Sequence, residues 1–130
     1  MAILDTDILV ALLKGSPDAM KKVGELEEKT ECVATTIITA YELMKGAYLS
    51  ARPQENLAKV KDIISNLQVL DLSAKACEEA AQIYIDLKKS GNLIGEFDIL
   101  IVGIARAYDE TIVTRDAHFQ AISGLKVINW

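Results

Sequence analysis

The sequence predicts an α/β protein in which a parallel sheet of about five strands is covered by helices on both faces. Two observations predict this class: short apolar runs recur along the chain, and segments with helical spacing of apolar residues separate them. The chain has 130 residues, of which 51% are hydrophobic. We therefore expect residues 1–130 to form a single domain with a substantial core.

The first half of the chain is divided by residues that start or stop helices. Gly15 ends a helix whose apolar residues recur at helical spacing, and Ser16 and Pro17 supply the N-cap and first turn of the next helix. The predicted elements are a strand at 2–5, helices at 6–14 and 17–28, a strand at 32–36 and a helix at 36–50.

The second half continues the alternation. Pro53 begins a helix, Ser73 caps a long helix, and Gly91 with Asn92 interrupts the chain before the next helix. The predicted elements are helices from 53 and at 73–90, 95–109 and 117–122, strands at 67–72 and 126–129, and a fourth strand that together with its exit spans 111–116.

The composition argues against several classes of protein. The net charge of -5 is unlike that of a broad, non-specific nucleic-acid binder, although a cation held among acids would reverse the local field. Two distant cysteines and one histidine provide no zinc-binding spacing, so we interpret Cys32 and Cys77 as buried thiols of a cytoplasmic protein. No apolar run approaches the ~20 residues that cross a bilayer, and we expect no membrane association.

Two carboxylates follow apolar strands, and a third lies within an apolar helix. Asp5 ends the first predicted strand and Asp116 follows the fourth, so both would lie at one edge of the sheet if these strands are neighbours. Asp98 is followed one turn later by Ile101 and Val102, and a buried carboxylate there requires a partner. A Mg²⁺ or Mn²⁺ ion would neutralise several such acids at once.

Each acidic candidate also has a structural alternative. Asp5 could cap the helix that follows it, and Asp116 could cap the short helix after the fourth strand. Asp98 could be buried in its protonated form. Glu42 could form a surface ion pair with Lys45, three residues later on the same helix.

Basic and aromatic residues carry weaker signals. Arg115, Arg106 and Lys45 could contact phosphates, but a solvated face is the commoner explanation for surface cations. Trp130 is interpreted as part of the core or of an interface rather than as a platform for stacking bases.

Four motifs occur in order along the chain: LDTDILV at its start, TAYELMKG around Glu42, FDILIVGIA around Asp98 and VTRDAHF around Asp116. Together they resemble the PIN domain, a fold of metal-dependent ribonucleases, and in particular the VapC toxins of prokaryotic toxin–antitoxin pairs. The resemblance implies three α/β/α layers with strand order 3-2-1-4-5. It assigns metal-binding and catalytic roles to Asp5, Glu42, Asp98 and Asp116, and supporting roles to Thr6, Asp7 and Thr114. Gly103 departs from the alanine that is common in the family at its position.

The resemblance also implies an activity and partners. One or two Mg²⁺ or Mn²⁺ ions would activate water to hydrolyse RNA phosphodiester bonds, leaving a 5′-phosphate and a 3′-hydroxyl. Structured RNA such as tRNA or rRNA is the implied substrate, a cognate VapB-type antitoxin the implied partner, and a homodimer the implied assembly.

Two other functions remain open on the sequence. A PIN-like module without activity could serve only as a binding partner or scaffold. The stretch DTDIL also resembles the D-x-D-x-T motif of haloacid-dehalogenase-type phosphatases, although position 9 is leucine rather than threonine.

Overall fold

Five parallel strands form one sheet in the order β3-β2-β1-β4-β5, as predicted. The computed structural model describes residues 1–29 and 32–130. The strands are β1 (Ala2–Leu4), β2 (Val33–Thr36), β3 (Gln68–Leu70), β4 (Thr111–Val113) and β5 (Val127–Ile128). Because the first strand is central, its carboxyl end lies beside those of β2 and β4.

The helices begin and end close to the predicted positions. They are α1 (Thr6–Leu13), α2 (Pro17–Lys29), α3 (Ile37–Leu49), α4 (Pro53–Ser65), α5 (Ala74–Ser90) and α6 (Glu96–Ala107), and a short 3₁₀ helix spans Ala117–Ala121. Ser73 caps α5 by accepting a hydrogen bond from the Ala76 backbone N–H. Gly91 ends α5 in the left-handed conformation, at φ 74°, which glycine adopts without strain.

Alternating residues of the strands send side chains to two separate cores, one on each face of the sheet. On one face Ile3 and Ile112 pack with α5 and α6. On the other face Leu4 and Val113 pack with helices α1 to α4. These two cores account for the three predicted layers, with the sheet in the middle.

Helices α5 and α6 approach each other unusually closely at Gly103. A Cβ atom at this position would lie 2.6 Å from the Ala80 Cβ and 2.9 Å from the Ala76 carbonyl oxygen. Glycine is therefore the only residue that fits between the two helices as they are placed, which explains the departure from alanine.

One prediction about the interior is wrong. Cys77 is exposed on α5 and Cys32 is half-buried, so neither thiol belongs to the core. Apolar character alone did not separate the inner face of α5 from its outer face. Within the residues described, no helix has both the length and the apolar character needed to cross a bilayer.

Candidate active site

The register of β1 and β4 brings residues from the two ends of the chain together. Leu4 pairs with Val113, and the Asp5 N–H donates to the Val113 carbonyl at 3.1 Å. Thr114, the residue that follows β4, donates its hydroxyl proton to Asp5 Oδ2 at 2.7 Å. The same hydroxyl oxygen accepts the Asp116 N–H at 3.0 Å, so Asp5 and Asp116 lie at one edge of the sheet.

Asp5 is a buried carboxylate whose charge is only partly compensated. Its side chain is 5% exposed, and its Oδ1 is buried without a hydrogen-bond partner among the described residues. The pKa of Asp5 is raised to about 7: burial raises it most, hydrogen bonds from the Thr114 hydroxyl and the Thr6 backbone lower it, and the charges of Asp7 and Asp98 raise it. Although Asp5 occupies the N-cap position of α1, its side chain makes no capping hydrogen bond, so the cap alternative does not explain it.

Asp98 lies in the first turn of α6 and is half-buried. This corrects the prediction that the apolar helix buries the carboxylate in the protein interior. Ile101 and Val102 further along are fully buried, but the end of the helix is incompletely covered. Burial raises the pKa of Asp98, and the charges of Asp116 and Glu42 raise it further. Asp116 and Glu42, from two other parts of the chain, therefore both repel the carboxylate of Asp98.

Glu42 is positioned by a threonine from the neighbouring helix. Thr6, at the start of α1, donates to Glu42 Oε1 at 2.9 Å, and its oxygen lies 3.2 Å from Thr39 Oγ1. Among the described residues, Lys45 does not form an ion pair with Glu42, which was the structural alternative for that acid. Its ammonium group instead lies over the rings of Tyr41 and Phe97, 5.4 and 5.2 Å from their centroids.

Asp116 has the structural role that was its alternative. Its Oδ1 caps the short 3₁₀ helix by accepting the His118 backbone N–H at 2.9 Å. The same oxygen lies 2.8 Å from His118 Nδ1. Capping uses one carboxylate oxygen, so it does not prevent Asp116 from contributing charge to the site. Its charge raises the pKa of Asp98, because the two carboxylates lie near each other.

Asp7 lies beside Thr114, as its predicted supporting role requires, and is also held by Arg115 and Trp130, which the sequence analysis did not assign to the site. Its Oδ2 accepts the Arg115 backbone N–H at 2.7 Å and lies 3.2 Å from the Thr114 hydroxyl. Its Oδ1 accepts the indole N–H of Trp130 at 3.2 Å. Trp130 follows β5, and only the pairing of β5 with β4 brings it beside residues 114–116. The topology, rather than any local motif, is the signal that could have found it.

The four predicted acids border one site, and their side chains do not converge on a point. Among the described residues, no three Asp, Glu, His or Cys side chains are grouped closely enough to hold a metal ion as they stand. The donor set nevertheless fits a hard divalent cation: the oxygens are carboxylates, Asp5 Oδ1 is buried and unpartnered among the described residues, and neighbouring acids help to raise the pKa values of Asp5 and Asp98. A cation between them would relieve that repulsion.

This fold and this edge of acids define the class of protein. Residues 2–125 match the family model of the PIN domain, and the chain belongs to the PIN-domain family, among the VapC ribonucleases. It is 33% identical to the tRNA(fMet)-specific endonuclease VapC of Shigella flexneri, over 98% of this chain and 96% of that protein. It is 31% identical to Ribonuclease VapC2 of Haemophilus influenzae over the same shares of the two chains.

Solved structures agree with this placement. A VapBC2 complex of Rickettsia felis, bound to a DNA fragment from its promoter, contains a chain that superposes with a TM-score of 0.91 at 31% identity, covering 99% of this chain and 98% of that one. A DNA-bound VapBC complex of Salmonella typhimurium gives a TM-score of 0.91 at 31% identity, covering 99% and 97%. PIN-domain nucleases are generally dependent on divalent metal ions. The match to the PIN-domain family sets aside the dehalogenase-type alternative.

Proposed function

We propose that this protein is a Mg²⁺- or Mn²⁺-dependent endoribonuclease and the toxin of a VapBC-type toxin–antitoxin pair, with residues 1–130 acting as one catalytic domain. The observation that supports this best is Asp5. A carboxylate that is buried, lacks a partner for one oxygen and is repelled by neighbouring acids is costly unless a cation binds there. The proposed ligands are Asp5, Glu42, Asp98 and Asp116.

The supporting residues orient these acids. Thr114 holds Asp5 Oδ2, so Oδ1 would be the oxygen that binds a cation, and Thr6 holds Oε1 of Glu42 in the same way. Asp7 anchors the backbone of residue 115 and so fixes the loop that carries Thr114 and Asp116. A bound divalent ion would supply water with a lowered pKa and would stabilise negative charge on a phosphoryl oxygen. Hydrolysis would leave a 5′-phosphate and a 3′-hydroxyl.

The proposed substrate is structured RNA in the cytoplasm. The relative from Shigella flexneri is named as specific for tRNA(fMet), which makes initiator tRNA the first substrate to test, with rRNA as the second. The net charge of -5 means that affinity for RNA must come from local features such as the metal site rather than from the overall field.

The proposed partner is a VapB-type antitoxin, and the proposed assembly of the toxin is a homodimer. The neighbouring structures are complexes of VapB and VapC, which supports a partner of this kind. An apolar groove between α1, α3 and α4 begins at Thr6 and Glu42 and continues past Val10, Leu43 and Val60. A partner segment in this groove would lie directly beside Glu42, one of the proposed catalytic acids.

The test is cleavage of end-labelled initiator tRNA by the purified chain with Mg²⁺ or Mn²⁺ and with excess chelator. We expect metal-dependent cleavage that is lost in Asp98→Asn and retained in Asp86→Asn, which neutralises an exposed acid on α5. Calorimetry should detect Mn²⁺ binding to the wild type and to Asp86→Asn. Absence of Mn²⁺ binding would refute the metal assignment, and tight binding to an antitoxin without any cleavage would favour the scaffold alternative.

A further inference from the structure

We propose that Trp130 is a positioning residue for the ribonuclease site, acting through Asp7 on the loop that carries Thr114 and Asp116. This inference rests on the proposed function, because it concerns how the proposed metal-binding acids are held in place. Trp130 neither touches the four acids nor lies in the metal-binding set. Its effect is transmitted through hydrogen bonds.

The contacts form a continuous path from Trp130 to Asp5. The indole N–H donates to Asp7 Oδ1, and Asp7 Oδ2 accepts the backbone N–H of Arg115 at 2.7 Å. That carboxylate oxygen also lies 3.2 Å from the Thr114 hydroxyl, whose proton is directed to Asp5 Oδ2 at 2.7 Å. Asp7 therefore accepts from the Trp130 indole and from the Arg115 backbone N–H, and the second of these hydrogen bonds fixes the loop after β4 that carries Thr114.

Trp130 is itself held on three sides. The guanidinium carbon of Arg115 lies 3.6 Å from the centroid of the indole ring, and Arg115 Nε donates to the Trp130 carbonyl oxygen at 2.9 Å. Arg115 also lies within ion-pair distance of Asp18, on the first turn of α2, at 3.6 Å. The third contact is the indole N–H to Asp7. A side chain fixed in this way presents its N–H in one direction only.

The arrangement also assigns a role to Arg115. Its side chain stacks on Trp130 and bonds to the backbone of that residue, while its own backbone N–H is bound by Asp7. The side chain and the backbone of Arg115 therefore both contribute to the contacts that link Trp130 and Asp7. The primary role of Arg115 is structural rather than phosphate binding.

The expected effect is that of a group that orients a metal ligand without binding the metal. Removing such a group commonly reduces metal affinity or activity by about 10- to 100-fold. Misplacement of a catalytic group by about 1 Å can have an effect of similar size. Because Trp130 does not contact the substrate in this scheme, the effect should fall on kcat and on metal affinity rather than on KM.

The decisive variant is Trp130→Phe, which keeps a ring for Arg115 and the main-chain carbonyl but lacks the indole N–H. We expect kcat for RNA cleavage and the calorimetric affinity for Mg²⁺ each to fall by about 10-fold or more, with KM unchanged. The matched control is Ile83→Val, which removes one methyl group from the buried face of α5, a helix that carries none of the four acids, and costs about 1 kcal/mol of stability. That control should keep both quantities at the wild-type value, which separates positioning from general destabilisation.

A double variant tests the route of the effect. If Trp130 acts through Asp7, then Trp130→Phe should add nothing to the loss already caused by Asp7→Ala. Equal Mg²⁺ affinity in Trp130→Phe and wild type, or independent and additive losses in the double variant, would overturn the inference. Failure of the wild type to bind Mg²⁺ or cleave RNA would instead refute the proposed function, so the two failures are distinguishable.

Discussion

Replacing Asp5 with asparagine should stabilise the metal-free protein at neutral and alkaline pH. Burial is the main cause that raises the pKa of this carboxyl from the ordinary 3.8 to about 7. At 1.36 kcal/mol per pKa unit, ionising Asp5 in the folded state costs up to about 4 kcal/mol more than ionising it in the unfolded chain. Asparagine has nearly the same shape, and its carbonyl oxygen can accept the hydrogen bond from Thr114.

The sign of the pH dependence follows from the raised pKa. Below the unfolded pKa of 3.8, Asp5 is protonated in both states and the cost is absent. As the pH rises, the unfolded chain loses its proton first, so stability falls until the folded carboxyl has also ionised, above about pH 7. The gain from Asp5→Asn should therefore be largest near pH 8 and smaller near pH 5, at about 4 and about 2 kcal/mol.

Urea denaturation in excess chelator, at both pH values, measures this gain. Asp86→Asn is the matched control, because it removes an exposed carboxylate from α5 and should leave the free energy of unfolding unchanged within about 0.5 kcal/mol. Added Mg²⁺ should raise the melting temperature of the wild type and of the control but not of Asp5→Asn. Equal effects of Asp5→Asn at the two pH values, or destabilisation near pH 8, would refute the reasoning.

Three further outcomes are expected. Asp7→Asn should lower RNA cleavage by about 10-fold in a gel assay, because an amide cannot accept from both the Arg115 N–H and the Trp130 indole. Asp5→Asn should abolish cleavage, since Asp5 is a proposed metal ligand, and equal losses in the two variants would contradict this division of roles. Gly103→Ala should lower the free energy of unfolding, measured in urea, by about 1–3 kcal/mol, because its Cβ overlaps α5. Adding Ala80→Gly should restore part of that stability, and a Gly103→Ala variant more stable than the wild type would show that the two helices separate freely. Gly46→Phe should block the groove and weaken antitoxin binding in a titration, whereas Gly46→Ala should not. The fold tolerates a side chain here, because a Cβ added at Gly46 would meet no other atom within 4 Å, and unchanged affinity would place the antitoxin elsewhere.

The fold could be predicted because burial is periodic in this sequence. The helix predicted at 95–109 is α6, Glu96–Ala107, and the strand predicted at 2–5 is β1 with Asp5 as the residue that follows it. Strand ends were less accurate: within the segment 111–116, predicted as a strand with its exit, the strand stops at Val113. The hydroxyl of the next residue bonds to Asp5 and the chain turns away, which the apolar pattern does not reveal.

The site could be predicted in part, since residues at strand ends are placed by topology. Asp5 and Thr114 follow paired strands, so their proximity follows from the strand order. The burial of Asp98 could not be judged correctly, because helical periodicity identifies a face but not how far along the helix that face is covered. Trp130 was missed for a different reason. Its contact with Asp7 spans 123 residues and depends on the register of the last strand.

The stretch DTD at positions 5–7 explains how one short segment organises the whole site. Asp5 is the N-cap residue of α1, and Thr6 and Asp7 begin its first turn, so successive side chains point about 100° apart around the helix axis. Asp5 therefore reaches the loop after β4, and Thr6 reaches Glu42 on α3. Asp7 reaches Trp130 and the backbone of residue 115. A strand ending in a helix places three polar side chains against three separate parts of the chain, which is why carboxylates are retained in so apolar a segment.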